Sequence, residues 1–318
     1  MKYLTYRNGD KMPIVGLGTW KSEPGEVYDA VIEAVKMGYR HIDCAAIYQN
    51  EKEIGKAFKY LFDNNIVKRE DLWVTSKLWN NSHRVDHVVP AIKQTLSDLQ
   101  LDYLDLYLVH WPVALKDEVT FPEKGDDFVS LNEVPLAETW KGMEKTLAEG
   151  LAKHIGVSNF NSDKLQEVVD NANHNPEMNQ VELHPLLPQN DLMDYCNGMG
   201  IHMTAYSPLG SRDRAAQMKK ENEPNMFEIP ALQDAANSLN ISVPQLLIAW
   251  GVNRNTAVIP KSVNPDHMKS NLEAAEIDLS KEMMEKIESA GEKFRYVDGS
   301  FWTMEGSPYK MEDLWETV

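Results

Sequence analysis

Asp43, Tyr48, Lys77 and His110 are the residues whose types could do chemistry together. A carboxylate, a phenol, an ammonium and an imidazole can between them hold and move a proton and stabilise a developing negative charge. A lysine at a strand end of a barrel is also the aldolase solution, in which the amine forms a Schiff base with a carbonyl compound. Singly, each has an ordinary role open to it: Asp43 as a helix cap, Tyr48 at the core edge, Lys77 as a solvated charge, His110 as a satisfied core histidine. Asp43 lies at the end of one short apolar run, with Tyr48 five residues on, and Lys77 and His110 lie at the ends of the next two. Four ionisable groups at three adjacent strand ends would put charge where a purely structural barrel needs none, and that coincidence favours a site.

The elements that would position them follow from periodicity. After a start that can form a hairpin, brief apolar runs alternate with segments of helical period, the pattern of βα units on a parallel sheet. Strands are expected at 15–18, 41–45, 72–78, 104–110, 154–159, 178–183, 201–209 and 256–261. Val27, Ala30, Val31, Ala34 and Val35 fall on one helical face, with Gly38 as its stop. Val88, Ile92, Leu96 and Leu99 form another stripe, in which Pro90 is tolerable only within the first turn. Leu165, Val168 and Val169 continue the theme. Eight strands with interleaved helices match a closed (β/α)8 TIM barrel better than an open sheet, and no linker or repeat divides it, so residues 1–318 read as one domain. Long connections at 113–133 and 210–228, and a tail after Gly291, read as binding loops or lids at the C-terminal face.

Composition removes other classes. The 318 residues carry a formal charge of -17, which repels nucleic-acid phosphates and anionic lipid, and no run of Lys and Arg offers a local exception. No stretch approaches the roughly 18 apolar residues of a membrane span, and the start MKYLTYRNGD has no signal-peptide core. A cytoplasmic protein acting on a small molecule, as a monomer or weak dimer, is expected. Cys44 and Cys196 form neither a disulfide framework nor a metal-ligand spacing, so no metal is expected.

GYRHIDCAAIYQNEKEIG at 38–55 resembles the first signature of the aldo-keto reductases, and LDYLDLYLVHWP at 101–112 the second. VTSKLW, IGVSNF, NQVELHP, AYSPLG and IPKSVNP occur in that family's order and spacing, so the resemblance runs from Gly16 to about Leu279. It implies the barrel, a nicotinamide cofactor and the catalytic tetrad Asp43, Tyr48, Lys77 and His110. Reduction of a carbonyl needs hydride at carbon and a proton at oxygen. Tyrosine starts too weak, with a reference pKa of about 10; Lys77 would lower it, Asp43 would keep Lys77 charged, and His110 would orient the carbonyl. A non-catalytic, cofactor-sensing regulatory subunit is the alternative of another class, and the intact tetrad argues against it.

By the same resemblance, Ser158, Asn159 and Gln180 would hold the nicotinamide carboxamide and Tyr206 would stack on its ring. Ser207, Leu209 and Ser211 correspond to pyrophosphate contacts, with Lys21 and Asp213 clasping the loop, and Thr19 and Trp20 adjoin the cofactor. Lys261, Ser262, Val263 and Asn264 correspond to the adenosine 2'-phosphate end and Asn271 to an adenine contact. Trp20, Ile47, Trp79, Trp111, Phe121 and, in the tail, Trp302 would line the substrate mouth. The position matching His267 is usually arginine in NADPH-dependent members, so NADPH is expected with some weaker use of NADH. The glycines of GLG at 16–18 lack the third glycine of a dinucleotide fingerprint and are a decoy.

Overall fold

A computed structural model describes residues 2–315. Its principal sheet has eight parallel strands among the described residues: β3 (Leu17–Gly18), β4 (His41–Asp43), β5 (Trp73–Leu78), β6 (Leu104–Val109), β9 (Ala152–Ser158), β10 (Met178–Glu182), β11 (His202–Tyr206) and β12 (Ala257–Val258). They pair in chain order, and bridges Val15 to Val258 and Gly18 to Lys261 join the last strand to the first. The chain is therefore a closed (β/α)8 barrel.

Closure explains the glycines at 16 and 18. A Cβ on Gly16 would lie 2.6 Å from the His41 ring, and one on Gly18 would lie 2.6 Å from the carbonyl oxygen of Ile259. Gly18 thus lets the seam close, and Gly16 leaves room for the His41 ring on the neighbouring strand.

The helices α1 (Glu26–Met37), α2 (Glu51–Asp63), α3 (Val88–Leu99), α4 (Leu136–Ala148) and α5 (Ser162–Asn171) follow successive strands. Helices α6 (Asn190–Met199), α7 (Pro230–Ser238), α8 (Val243–Asn253) and α9 (Pro265–Glu273) complete the ring. In α1 the stripe Val27, Val31 and Val35 turns inward, whereas α8 is buried at every position from Leu246 to Val252. Gly38 stops α1 with φ 112°, and Pro90 sits in the first turn of α3, where no intrahelical N–H is lost.

Several strand ends fall short of the periodic pattern. The seventh ends at Tyr206 because Ser207 turns to φ 48° and Pro208 follows. The eighth shrinks to two residues because Pro260 cannot donate to a ladder. The segment 113–133 is not all loop: β7 (Ala114–Leu115) and β8 (Phe128–Val129) pair as a hairpin within it.

At the barrel floor, β1 (Tyr3–Thr5) and β2 (Lys11–Pro13) form the expected hairpin. Buried His154 holds it, with Nε2 3.0 Å from Asp10 and Nδ1 2.9 Å from Glu177, so both ring nitrogens face carboxylates and the ring is an imidazolium. Burial opposes that charge, but the two carboxylates outweigh it and hold His154 above its ordinary 6.5. Glu177 is held below its ordinary 4.5 against burial, and Asp10 below 3.8 by its bond to His154. A raised histidine stabilises fully below 6.5 and loses that contribution as pH rises through its folded value; the lowered carboxylates stabilise above 4.5 and lose it as pH falls. The melting temperature of the wild type should exceed that of His154→Phe by most between these two values and by less on either side. A pH-independent difference would show that the latch is not ionic.

Candidate active site

The tetrad assembles at the C-terminal end of the barrel. Asp43 closes β4, and a 3-10 turn at Ala46–Tyr48 carries Tyr48 back over the strand ends. Lys77 is the penultimate residue of β5, and His110 directly follows β6.

Lys77 Nζ donates to Asp43 Oδ1 at 2.5 Å, to the Cys44 carbonyl at 2.8 Å and to the Tyr48 hydroxyl at 3.4 Å. All three ammonium protons are thus committed. The second Asp43 oxygen accepts from Gln180 Nε2 at 2.8 Å, and Thr19 Oγ1 donates to the Asp43 carbonyl at 2.7 Å. Thr19 therefore braces Asp43. Edge-on aromatic contacts place the His110 ring 5.8 Å from Tyr48 and 5.2 Å from Trp79, centroid to centroid.

Burial works against the Lys77 ammonium, yet Asp43 and Tyr48 more than compensate and hold it above its ordinary range. A charged, fully engaged ammonium is a poor Schiff-base nucleophile, so the geometry gives the aldolase reading no support. The expected depression of the Tyr48 pKa is not observed. Lys77 does push it down, but burial is the larger effect and Tyr48 stands at about 12. The phenol keeps its proton across neutral pH, and an alkoxide forming on a substrate, being a stronger base than phenolate, can still take it. His110 is driven well below its ordinary value by burial first, then by the charge of Lys77 and by His83, so its imidazole is neutral.

A cavity of about 1240 Å³ opens over Tyr48 and His110. Trp20, Ile47, Trp79, Trp111, Phe121 and Trp302 all line it, with Phe121 exposed at the rim and Trp302 buried. Ser158, Asn159, Gln180 and Tyr206 line its barrel side, and Ser207, Leu209, Ser211 and Asp213 the loop after β11. Thr19, Lys21, Lys261 and His267 also border it.

These groups are braced on one another. Tyr206 donates to Asn159 Oδ1 at 2.8 Å, Asn159 Nδ2 to the His110 carbonyl at 2.9 Å, and Ser158 to the Gln180 carbonyl at 2.7 Å. Lys21, Asn159, Ser207 and Ser211 all take positive φ without being glycine, a strain that gathers at functional sites.

Not every expected residue reaches the cavity. Ser262, Val263, Asn264 and Asn271 do not line it. Asn264 caps α9, accepting from the His267 N–H at 3.0 Å, and Ser262 is hydrogen-bonded to the Asn264 backbone. The Asn264 side-chain oxygen is thus engaged in starting the helix.

Other residues come to light only in three dimensions. Lys21 Nζ is 2.8 Å from Ser211 and 2.5 Å from Asp213, strapping the 210–228 loop across the cavity. The tail ties to that strap: Lys220 is paired with Asp298 at 2.8 Å, and Tyr296 donates to the Pro224 carbonyl at 2.7 Å. Fully buried Glu182, at the end of β10, accepts from the backbone N–H groups of Tyr296 and Val297 at 2.6 and 2.7 Å, with His184 at 2.9 Å. Burial disfavours this carboxylate, but His184 and the other donors outweigh it and keep the pKa low. Phe301 and Met304 join the lining from the tail, where adjacent aromatics at 301 and 302 were the available sequence signal.

The Aldo/keto reductase family model matches residues 14–292. The chain belongs to the aldo/keto reductase family. An aldo/keto reductase of Synechocystis sp. is 49% identical over 318 residues, covering 100% of this chain and 97% of that one. Aldo-keto reductase family 1 member A1 of Gallus gallus is 46% identical over 297 residues, 93% of this chain and 90% of the relative. Among solved structures, an aldose reductase from Schistosoma japonicum superposes with a TM-score of 0.85 at 37% identity, covering 98% of this chain and 99% of that one. As an aldo/keto reductase, the chain is an oxidoreductase of small carbonyl compounds that works with a nicotinamide dinucleotide. The strapped trough suits such a ligand: Gln180 lines it with its amide nitrogen donating to Asp43, and Lys21 and Lys261 supply cations along it.

Proposed function

We propose that this aldo/keto reductase converts the carbonyl of an aldehyde, aldose or ketosugar to the alcohol at the expense of NADPH, with Tyr48 as the proton donor. The observation that carries the reading is a protonated phenol, hydrogen-bonded to a buried ammonium, beside a neutral imidazole on the floor of the cavity. Bound NADPH would supply a hydride to the carbonyl carbon. Tyr48 would give its hydroxyl proton to the carbonyl oxygen, and Lys77 would stabilise the phenolate left behind. His110 would orient the carbonyl against Tyr48, and the tryptophans would exclude water. Asp43 and Gln180 would keep Lys77 and the nicotinamide side of the trough in register. The chemistry belongs in the cytoplasm, where NADPH is supplied.

The test is a panel of aldehydes, aldoses and ketosugars ranked by kcat/KM from NADPH absorbance. Absence of turnover with every carbonyl in a folded, NADPH-binding protein would turn the reading towards a regulatory subunit. Borohydride trapping with a carbonyl compound and no NADPH should leave Lys77 unlabelled, whereas an aldolase lysine would be labelled.

Cofactor choice is a separate expectation. Exposed His267 borders the cavity where an arginine would give a permanent charge to the 2'-phosphate. NADPH should be preferred over NADH, by less than in a relative with arginine at this position. His267→Arg should tighten NADPH by about 1–3 kcal/mol and leave NADH nearly unchanged. Equal gains for both cofactors, or a preference for NADH in the wild type, would reject a role for this loop in reading the phosphate.

A further inference from the structure

His110 being neutral, its ring has one N–H and one lone pair, and the placement of the proton decides its use. With hydrogen on Nε2 the ring donates to a carbonyl oxygen in the cavity. With hydrogen on Nδ1 it presents a lone pair to that oxygen and repels it. Nδ1 is the enclosed nitrogen, with no hydrogen-bond partner among the described residues.

Two groups in the neighbouring turn are in the same condition. Asn80 is fully buried, and neither its Nδ2 nor its Oδ1 is paired among the described residues; buried His83 has both ring nitrogens unpaired. Asn80 opens the 3-10 turn after β5, and His83 follows that turn. The His110 N–H donates to the Leu78 carbonyl at 3.1 Å, so the turn that carries Asn80 and His83 starts from the strand end beside His110. Burial pushes His83 down to about 3, so its ring is neutral too, and it lies close enough that the two rings disfavour being charged together. None of this is needed for lining the cavity, which Asn80 and His83 do not touch.

Five enclosed amide and ring atoms left unpaired would cost an amount comparable to a domain's whole marginal stability. Buried water, which typically makes about three hydrogen bonds, is the partner that polar corners of this kind recruit. The Asn80 amide and the His83 ring offer such water both donors and acceptors, leaving it a proton for a lone pair on His110.

We propose that Asn80 and His83 are positioning residues that, through water sealed behind the ring, hold Nδ1 of His110 as an acceptor and so aim Nε2–H into the cavity. The proposal rests on His110 being the residue that orients the carbonyl. It assigns to the turn after β5 a part in the reaction that no side chain there plays by touching substrate.

Histidine-labelled ¹⁵N spectra of the NADP⁺-bound enzyme test it, with the His110 signals assigned from His110→Asn. The wild type should show the Nε2–H tautomer at His110. Asn80→Leu and His83→Phe fill the space that water would occupy, and each should move His110 towards Nδ1–H. The kcat should drop about tenfold, less than the 10²–10³ lost with a whole oxyanion donor, since the right tautomer stays partly populated. The KM for NADPH should hold, and Asn80→Ser, which keeps a hydroxyl and room for water, should retain the wild-type spectrum. An Nδ1–H tautomer in the wild type would overturn the proposal whether or not the variants fold, and so would an unmoved Nε2–H signal in both filled variants. A tautomer shift without loss of kcat would uphold the positioning role and remove His110 from the proposed reaction, so the two readings fail separately.

Discussion

Tyr48→Phe should lower kcat for carbonyl reduction by about 10²–10⁴-fold, the usual worth of a general acid, while NADPH binding changes little. The substitution removes one hydroxyl and almost no volume, and the Trp20 and His110 contacts to the ring survive it. Lys77 keeps Asp43 and the Cys44 carbonyl as partners, so the ammonium stays charged and stability should hardly move. Stopped-flow or steady-state assays with a fluorescence titration of NADPH separate the two effects. A variant keeping more than half the wild-type kcat would reject Tyr48 as the proton donor.

Lys77→Met should be as damaging to turnover and, unlike the first change, damaging to the fold. Asp43 would be left enclosed with, among the described residues, only Gln180 donating to its side chain, and breaking one side of a buried ion pair costs about 3–5 kcal/mol. Tyr48, already at about 12, would lose the one nearby cation that favours its phenolate and become a still weaker acid. Because an unfolded enzyme also fails to turn over, kcat has to be read with a melting curve and an NADPH titration. Normal turnover in a folded Lys77→Met protein would remove the lysine from the proposed proton transfer.

The barrel is legible in the sequence because both of its periods are. Apolar runs bounded by turn residues mark the strands, and the α1 and α3 stripes give the helices even to the placing of Pro90. Strand ends are less legible because they are decided by single residues at the rim, such as Ser207 in the left-handed region or Pro260 without an N–H. The tetrad could be picked out because side-chain type and strand-end position coincide. Its acid strength could not, since the depth at which Tyr48 is enclosed sets the dominant effect.

At the other end of the trough, Ser262 and Asn264 illustrate a conflict of signals. A serine and an asparagine ahead of Pro265 are also a helix-start pattern, and the structure uses Asn264 so. Glu182 hid for the opposite reason. Nothing in NQVELHP says that its carboxylate will meet the backbone of residues more than a hundred positions later.

That last contact has a consequence for how such enzymes diversify. Glu182 grips main-chain N–H groups, and its hold on positions 296 and 297 is therefore blind to whatever side chains stand there, proline excepted. The tail beyond Val297 leaves the barrel from a fixed point in a fixed register, whatever it spells. Residues such as Phe301, Trp302 and Met304 can then be exchanged by mutation as an interchangeable cartridge, reshaping what fits the mouth without renegotiating the machinery beneath it.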